Sequence, residues 1–455
     1  MLTSLPQAVV ALRMRIFTWV NGAEGIPVPS PLVPAGRFVE IYSHPAANGR
    51  SRGAALSDLF WYWLAPGPHV HQEHLEAGER YDEVARTTRR FLARPRAEIA
   101  ALTERCAHRV LDEGDTRDLR LVRLRDLMMP VWAEVYYELV FGERCPSHAR
   151  ALIVANATDV ITALKCCGLR HMNRRDRLTR FLRERLASAP PVQPLPAVLS
   201  LEEQAWYLQG TFFNTAVVQM SEATAHLLLA IAQNPEVQRR LAAGPDDETY
   251  ADQVIDESLR RYPLFGIAHR ITTGEIKVDG AALPTGSVLC FNYPEFHATG
   301  FERPDAFDPD RWAHLDRRKA NHIPFGVSAN RPCPARGIAP LTMRVVVREV
   351  LRRFELHSTA AHTRSLPNRG PCLLVRRVSP DRPRRLAAEL TVMRFRDRWD
   401  DLWRSLVQLV LGTYMVVDAR RQRLAQRYFE QEAQPMTGNR GATAAQTHCP
   451  GGTTA

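Results

Sequence analysis

One cysteine, Cys333, stands between two prolines in residues 321–340, NHIPFGVSANRPCPARGIAP. Pro332 and Pro334 restrict the backbone on both sides of its sulfur. Gly326, Ser328 and Asn330 suit tight turns upstream, and Arg331 puts a fixed positive charge two residues before the sulfur. A helix-forming run follows from Arg336 to Phe354. The pattern predicts a stiff, accessible thiolate at a helix start, where backbone N–H groups and the helix dipole favour negative charge. Such a sulfur suits axial ligation of a haem iron. The alternative is a buried structural cysteine ahead of an amphipathic helix.

Two further constellations carry charge or ligand atoms. Glu257 and Arg260 lie three residues apart, so on a helix they share a face and can form a forked, two-point hydrogen bond. Arg311, in the segment FERPDAFDPDRW (301–312), is a further cation that could reach the same Glu257. By itself, such a pair is also an ordinary surface pair. His69, His71 and His74 invite a metal reading, but no fourth ligand accompanies them, and a polar loop is the better account.

The cysteine loop resembles the haem-binding loop of the cytochromes P-450. That pattern runs Phe, Gly, a few small residues, Arg, any residue, Cys, any residue, Gly. Phe325, Gly326, Arg331 and Cys333 match it. One extra residue lies between Phe325 and Cys333, and Ala335 replaces the final glycine. Glu257 and Arg260 match the family's invariant pair, and Arg311 matches the arginine that completes a structural triad. The three motifs occur in the family's order and cover residues 200–378, so the chain is identified as a member.

The resemblance implies a mainly α fold with small β-sheets (α+β, a triangular prism). Haem b would lie between a long central helix and the helix after the cysteine loop, with Cys333 as its axial ligand. Arg331 and Arg270 would hold the haem propionates, with His269 the alternative to Arg270 and Arg86, Arg89 or Arg90 as further candidates. Phe60 to Trp63 would belong to a substrate lid. In the family the central helix carries a glycine, a variable residue, an acid and a threonine, the threonine fifteen residues before the next helix's Asn-Pro. Counting back from Asn234 puts Ala216 for the glycine, Val218 for the acid and Gln219 for the threonine. Valine cannot relay a proton, and Gln219 can hydrogen-bond but not act as an acid. Glu222 and Thr224 lie one turn later.

Periodicity supplies the elements that must position these residues. Residues 96–188 read as helical, with Gly142 capping the run 131–142. Ser200 and Glu203 form a capping-box signature, which opens an apolar helix to Gln233. A new helix starts at Asn234-Pro235. Residues 266–292 read as short strands with turns at Asp279-Gly280 and Pro284-Thr285-Gly286, and 362–377 as a closing hairpin. The apolar N-terminus is too short to span a bilayer and either docks on the core or lies on a membrane surface. Residues 379–433 carry Leu386, Leu390, Met393, Trp399, Leu402, Leu406, Leu409 and Val410 at one-sided helical spacing among arginines. They read as a packed helical extension of a 1–378 domain, or as a surface for a partner or an anionic membrane. Residues 434–455 read as disordered.

The 455 residues are 45% hydrophobic with a formal net charge of +11, enough for a sizeable core. No zinc spacing or nucleic-acid fingerprint is present, so the basic balance points to an acidic protein partner. The eight cysteines form no framework, which fits a reducing cytoplasm. The resemblance implies a monooxygenase oxidising a hydrophobic small molecule in natural-product tailoring or catabolism. Electrons would come from an acidic ferredoxin or reductase docking on the Cys333 face. The alternatives are haem-thiolate chemistry of another kind (peroxide use, oxidative coupling, dehydration or rearrangement) and a low-turnover haem-binding recruitment protein.

Overall fold

The computed structural model describes residues 33–113, 117–377 and 385–433, with positions 8, 9, 11, 12 and 15 near the N-terminus. Helices α1 (Phe38–Ser43), α2 (Ala55–Leu64), α3 (Glu79–Leu92), α4 (Arg96–Asp112), α5 (Leu124–Phe141), α6 (Ser147–Leu164) and α7 (Met172–Ser188) precede the central helix α8 (Leu201–Gln233). After it come α9 (Pro235–Ala243), α10 (Glu248–Arg261), α11 (Tyr293–Ala298), α12 (Ala339–Arg353), α13 (Leu386–Gln422) and α14 (Leu424–Ala433). The strands are β1 (Leu119–Arg123), β2 (Ile267–Ile271), β3 (Ile276–Val278), β4 (Ala281–Leu283), β5 (Val288–Asn292), β6 (Phe354–His357) and β7 (Pro371–Arg376). They form three small antiparallel sheets, ordered β1-β7-β6, β2-β5 and β3-β4.

Local chemistry sets most of these boundaries. Ser200 N–H donates to Glu203 Oε2 at 2.9 Å, and Glu203 N–H donates to Ser200 Oγ at 3.4 Å, so the first turn of α8 is satisfied reciprocally. Gly142 ends α5 at φ +71°, a conformation glycine adopts without a Cβ clash. Asp279 and Gly280, both at positive φ, make the turn between β3 and β4. α8 is long and apolar enough to cross a membrane, but 83% of that stretch is buried, so here it is the core helix. It packs on α5, α10 and α12 within one large apolar cluster.

Four expectations change. The helix after the cysteine starts at Ala339, not Arg336, because residues 334–338 form successive turns. Residues 362–377 hold one strand, β7, which pairs with β1 and β6 across a long loop rather than folding on itself. Residues 378–384 lie outside the described residues, and with them the linker between the core and the C-terminal helices. The expected disorder of 434–455 and most of the N-terminal apolar segment also fall outside them. Finally, α13 is not one-sided. Met393, Met415, Val416 and Ala419 are buried, whereas Trp399, Leu406 and Val410 are exposed. Met415, Val416 and Ala419 pack on Leu59, Tyr62 and Trp63 of α2. The aromatic run 60–63 therefore seats the C-terminal helices, and none of its residues lines the main cavity.

Candidate active site

The loop that presents Cys333 is closed by its own backbone. Gly326 N–H donates to Ile323 O at 2.9 Å, Asn330 N–H to Val327 O at 3.1 Å and Cys333 N–H to Phe325 O at 2.9 Å. Gly326 takes φ +75°, which a side chain there would strain. Arg331, at φ +51°, is the non-glycine left-handed residue in the loop. Asn330 Nδ2 ties the loop to the end of α1 and the segment after it, donating to Tyr42 O at 2.7 Å and Ala47 O at 2.9 Å. Ala335 is not at positive φ, so the glycine expected at that position is not required by backbone conformation.

Cys333 borders a cavity of ≈1300 Å³, counting its open mouth. Phe325, Gly326, Arg331 and Arg270 also line it, as do Thr215, Ala216, Gln219 and Ala223 of the central helix. Gln209–Ala216 is π-helical, a wider winding than the uninterrupted α-helix expected for this run. Val218 does not line the cavity. It is buried in the main core, because at about 100° per residue it points well away from the face carrying 216, 219 and 223. Glu222 is also off the cavity, held by Arg125 Nη1 at 2.6 Å and Lys165 Nζ at 2.5 Å. Thr224 is buried and does not line the cavity.

The cavity lining contains a pair that sequence reasoning missed. His71 Nε2 lies 2.8 Å from Thr215 Oγ1, and both residues line the cavity. Glu73 N–H donates to His71 Nδ1 at 3.2 Å, so the ring proton resides on Nε2 and points to the hydroxyl. Burial lowers the His71 pKa, which favours this neutral form. Among the described residues, His69, His71 and His74 do not converge as metal ligands. No spacing rule links positions 71 and 215; only their shared cavity does.

Burial pushes the Cys333 thiol up to about 11, although the Ala335 and Arg336 backbone N–H groups act against it. The expected thiolate is thus not created by the loop alone, since α12 begins only at Ala339 and desolvation outweighs the local dipoles. A bound cation would reverse this balance, because coordination deprotonates a thiol.

Beside the loop, Arg50, Arg270 and Arg331 gather where anions are scarce. Arg50 is 2% exposed, and its guanidinium is pushed down to about 10 by burial and by the neighbouring Arg270. Its Nη1 lies 3.5 Å from Glu73 Oε2. Arg270 Nη1 donates to His269 O at 2.7 Å and Arg331 Nη1 to Leu75 O at 2.6 Å. Arg331 also stacks 3.7 Å over the Tyr81 ring. Arg50 Nε and Nη1, Arg270 Nε, and Arg331 Nε and Nη2 are buried without a hydrogen-bond partner. Buried polar atoms are rarely left this way unless a ligand completes them. Arg50 and Glu73 gave no sequence signal. Arg86, Arg89 and Arg90 are exposed on α3 and do not line the cavity.

The structural triad assembles around one carboxylate. Arg260 forks onto Glu257, with Nε to Oε2 at 2.9 Å and Nη2 to Oε1 at 2.8 Å. Arg311 Nε lies 3.3 Å from Glu257 Oε1. Asp308 N–H and Trp312 Nε1–H also donate to Glu257, at 3.0 and 2.9 Å.

Cys333 and the unsatisfied guanidinium groups of Arg270 and Arg331 border one cavity, and their chemistry fits a haem held by sulfur at the iron and by cations at the two propionates. The family model "Cytochrome P450" matches residues 202–382. Cytochrome P-450 135B1 of Mycobacterium tuberculosis is 34% identical over 145 residues, 30% of each chain. Cyclooctat-9-en-7-ol 5-monooxygenase of Streptomyces melanosporofaciens is 29% identical over 173 residues, 33% of this chain and 37% of that one. The match thus spans about a third of these relatives' length. A six-coordinate cytochrome P-450 from Thermus thermophilus superposes at TM-score 0.58 with 20% identity, covering 75% of this chain and 90% of that one. The retinoic-acid-bound cyanobacterial CYP120A1 superposes at 0.60 with 17% identity, covering 75% and 87%. The matched segment, less than half of the chain, resembles the cytochrome P-450 family, and the chain has the mainly α fold of the solved cytochromes P-450. The family's cofactor is haem b, and the cysteine, cavity and orphaned arginines fit it.

The arginine cluster makes a prediction. Charge-assisted hydrogen bonds to a carboxylate are worth about 1.5–3 kcal/mol each. Arg331→Ala and Arg270→Ala should each speed haem transfer to apomyoglobin by about tenfold or more, while substrate preference stays unchanged. Wild-type loss rates in both would reject the assignment.

Proposed function

We propose that the protein is a haem-thiolate monooxygenase that oxidises a hydrophobic small molecule with dioxygen and electrons from a separate donor. The observation that carries this reading is the Thr215–His71 pair, which lines the same cavity as Cys333. When bound, haem supplies the one-electron and dioxygen chemistry, with its axial thiolate favouring O–O cleavage. The chain's own residues do the rest. Leu92, Phe212, Met220, Leu264 and Phe265 make the cavity apolar and select an apolar substrate. His71 Nε2–H donates to Thr215 Oγ1, which leaves the Thr215 hydroxyl proton free to point into the cavity. The neutral imidazole, whose Nδ1 already accepts from the Glu73 N–H, fixes that hydroxyl in place and keeps its own proton, so a proton leaving Oγ1 is replaced from solvent entering the cavity mouth. The Thr215 hydroxyl takes the part expected of the alcohol at position 219.

Outside the cysteine loop, Arg96 and Arg336 are exposed side by side, Arg96 Nη1 reaching Gly337 O at 3.4 Å. This basic face suits an acidic ferredoxin-type donor. A second reading, peroxide as oxidant or a coupling, dehydration or rearrangement, draws on Gln219. Its amide lines the cavity where the family's threonine is expected.

General acid catalysis is typically worth about 10²–10⁴-fold. Thr215→Val should therefore cut reductase-supported product formation by about that factor, with haem content unchanged, and Thr215→Ser should restore it. Product formation by Thr215→Val at the wild-type rate would reject the relay. Turnover with peroxide but none with dioxygen and a reductase would favour the second reading.

A further inference from the structure

The C-terminal helix α13 carries an apolar stripe that nothing in the chain's described part covers. Val392, Phe395, Trp399, Trp403, Leu406, Val410, Tyr414 and Val417 are between 41% and 67% exposed. Their steps of three or four residues place them on one side of the helix. The stripe runs about 37 Å at 1.5 Å per residue. Surface apolar residues scattered singly are ordinary, but a continuous row of this length marks an interaction face. It is not the face that packs on α2, because Met415, Val416 and Ala419 fill that one.

A second feature lies directly beside it. Trp403 forms one edge of a cleft lined by Arg123, Arg125, Lys165, Arg369 and Arg404, with Asp400 the acid among the lining residues. Arg125 is 3% exposed, and its Nε is buried without a partner, as is Arg404 Nε. Arg125 and Lys165 share the single buried carboxylate of Glu222. The cleft's cations are paired with Asp126, Glu222, Asp397, Asp400 and Asp401, but the cleft borders the stripe at Trp403 and holds two guanidinium Nε donors, of Arg125 and Arg404, that no protein group satisfies. An anionic oxygen group suits it.

We propose that α13 lies flat on an anionic membrane surface, its stripe in the headgroup–acyl boundary and the cleft beneath Trp403 holding a phospholipid phosphate. The composition favours lipid over a second copy of the chain. Four of the eight stripe residues are aromatic, and tryptophan and tyrosine collect at membrane–water boundaries. A helix seam between two copies would call for aliphatic residues in register. Arg394, Arg396 and Arg398 are exposed around Phe395 and Trp399 and add positive charge at the same end. The inference does not depend on the haem reading.

The test is flotation of the full-length protein with vesicles of phosphatidylcholine, with or without phosphatidylglycerol. Wild-type protein should float with the phosphatidylglycerol vesicles, less so as salt rises, and its tryptophan emission should shift to shorter wavelength. Trp403→Asp with Val410→Asp should reduce binding at least tenfold without changing the haem spectrum. Arg123→Gln with Arg369→Gln should bind both vesicle types equally, losing the preference for anionic lipid. Three results would overturn the proposal: no flotation of wild type on either vesicle, a preference for phosphatidylglycerol undiminished in the arginine variant, or a dimer in light scattering that Val410→Asp dissociates.

Discussion

Cys333→Ala protein should lose the long-wavelength band that thiolate-ligated ferrous haem shows with carbon monoxide, and its haem affinity should fall at least about 100-fold. The estimate is a lower bound, since altering only the groups that support a metal ligand already costs about 10–100-fold. No other described cysteine can substitute. Cys106, Cys145, Cys290 and Cys372 are buried elsewhere, Cys166 and Cys167 follow α6, and none of the six lines the cavity. His71 also lines it, but haem kept through an imidazole would show a different band. Cys333→His is the useful companion, because it offers the iron a nitrogen in the same loop. It should hold more haem than Cys333→Ala and still lack the thiolate band. A thiolate band in the alanine variant would overturn the ligand assignment, whatever its activity.

The second large effect is on folding. Glu257→Ala should lower stability by about 3–5 kcal/mol, the usual result of stranding a buried charge. Glu257 is 0% exposed and Arg260 2%. Arg260 would keep its bonds to Pro304 O and Ala306 O, at 2.9 and 3.1 Å, but lose its counter-charge. The Asp308 and Trp312 N–H groups would lose their acceptor as well. A loss of this size is a large share of the roughly 5–15 kcal/mol typical of a folded protein. The variant should appear as insoluble or haem-free protein, and its thermal unfolding midpoint should fall by several degrees where it can be measured. Glu257→Gln tests the charge separately, since it keeps an oxygen acceptor but cannot neutralise Arg260. Soluble, haem-loaded Glu257→Ala melting with wild type would refute the structural role.

What the sequence determined by itself was short-range or motif-bound. The Ser200–Glu203 cap, the Gly142 stop and the Asp279-Gly280 turn are each decided within a few residues, by which backbone hydrogen bonds a side chain can satisfy or which φ it permits. The Cys333 loop and the Glu257–Arg260 pair were legible for the same reason: their partners are close in sequence, and the family pattern names them. Arg311 was legible only through that pattern, since its distance from Glu257 along the chain gives no physical expectation of contact. Tertiary structure alone decided the rest. It joined Thr215 to His71 across 144 residues and Arg50 to the Arg270–Arg331 cluster. It turned Val218 away from the cavity while keeping Gln219 on it, a choice set by helix phase and by the π-helical turns before it. It also divided the apolar residues of α13 between a face seated on Leu59, Tyr62 and Trp63 and one left exposed. Periodicity records that a residue is apolar and where it falls on a helix. Which neighbour buries it, and which charge finds a counter-charge, depends on chain segments brought together only by folding.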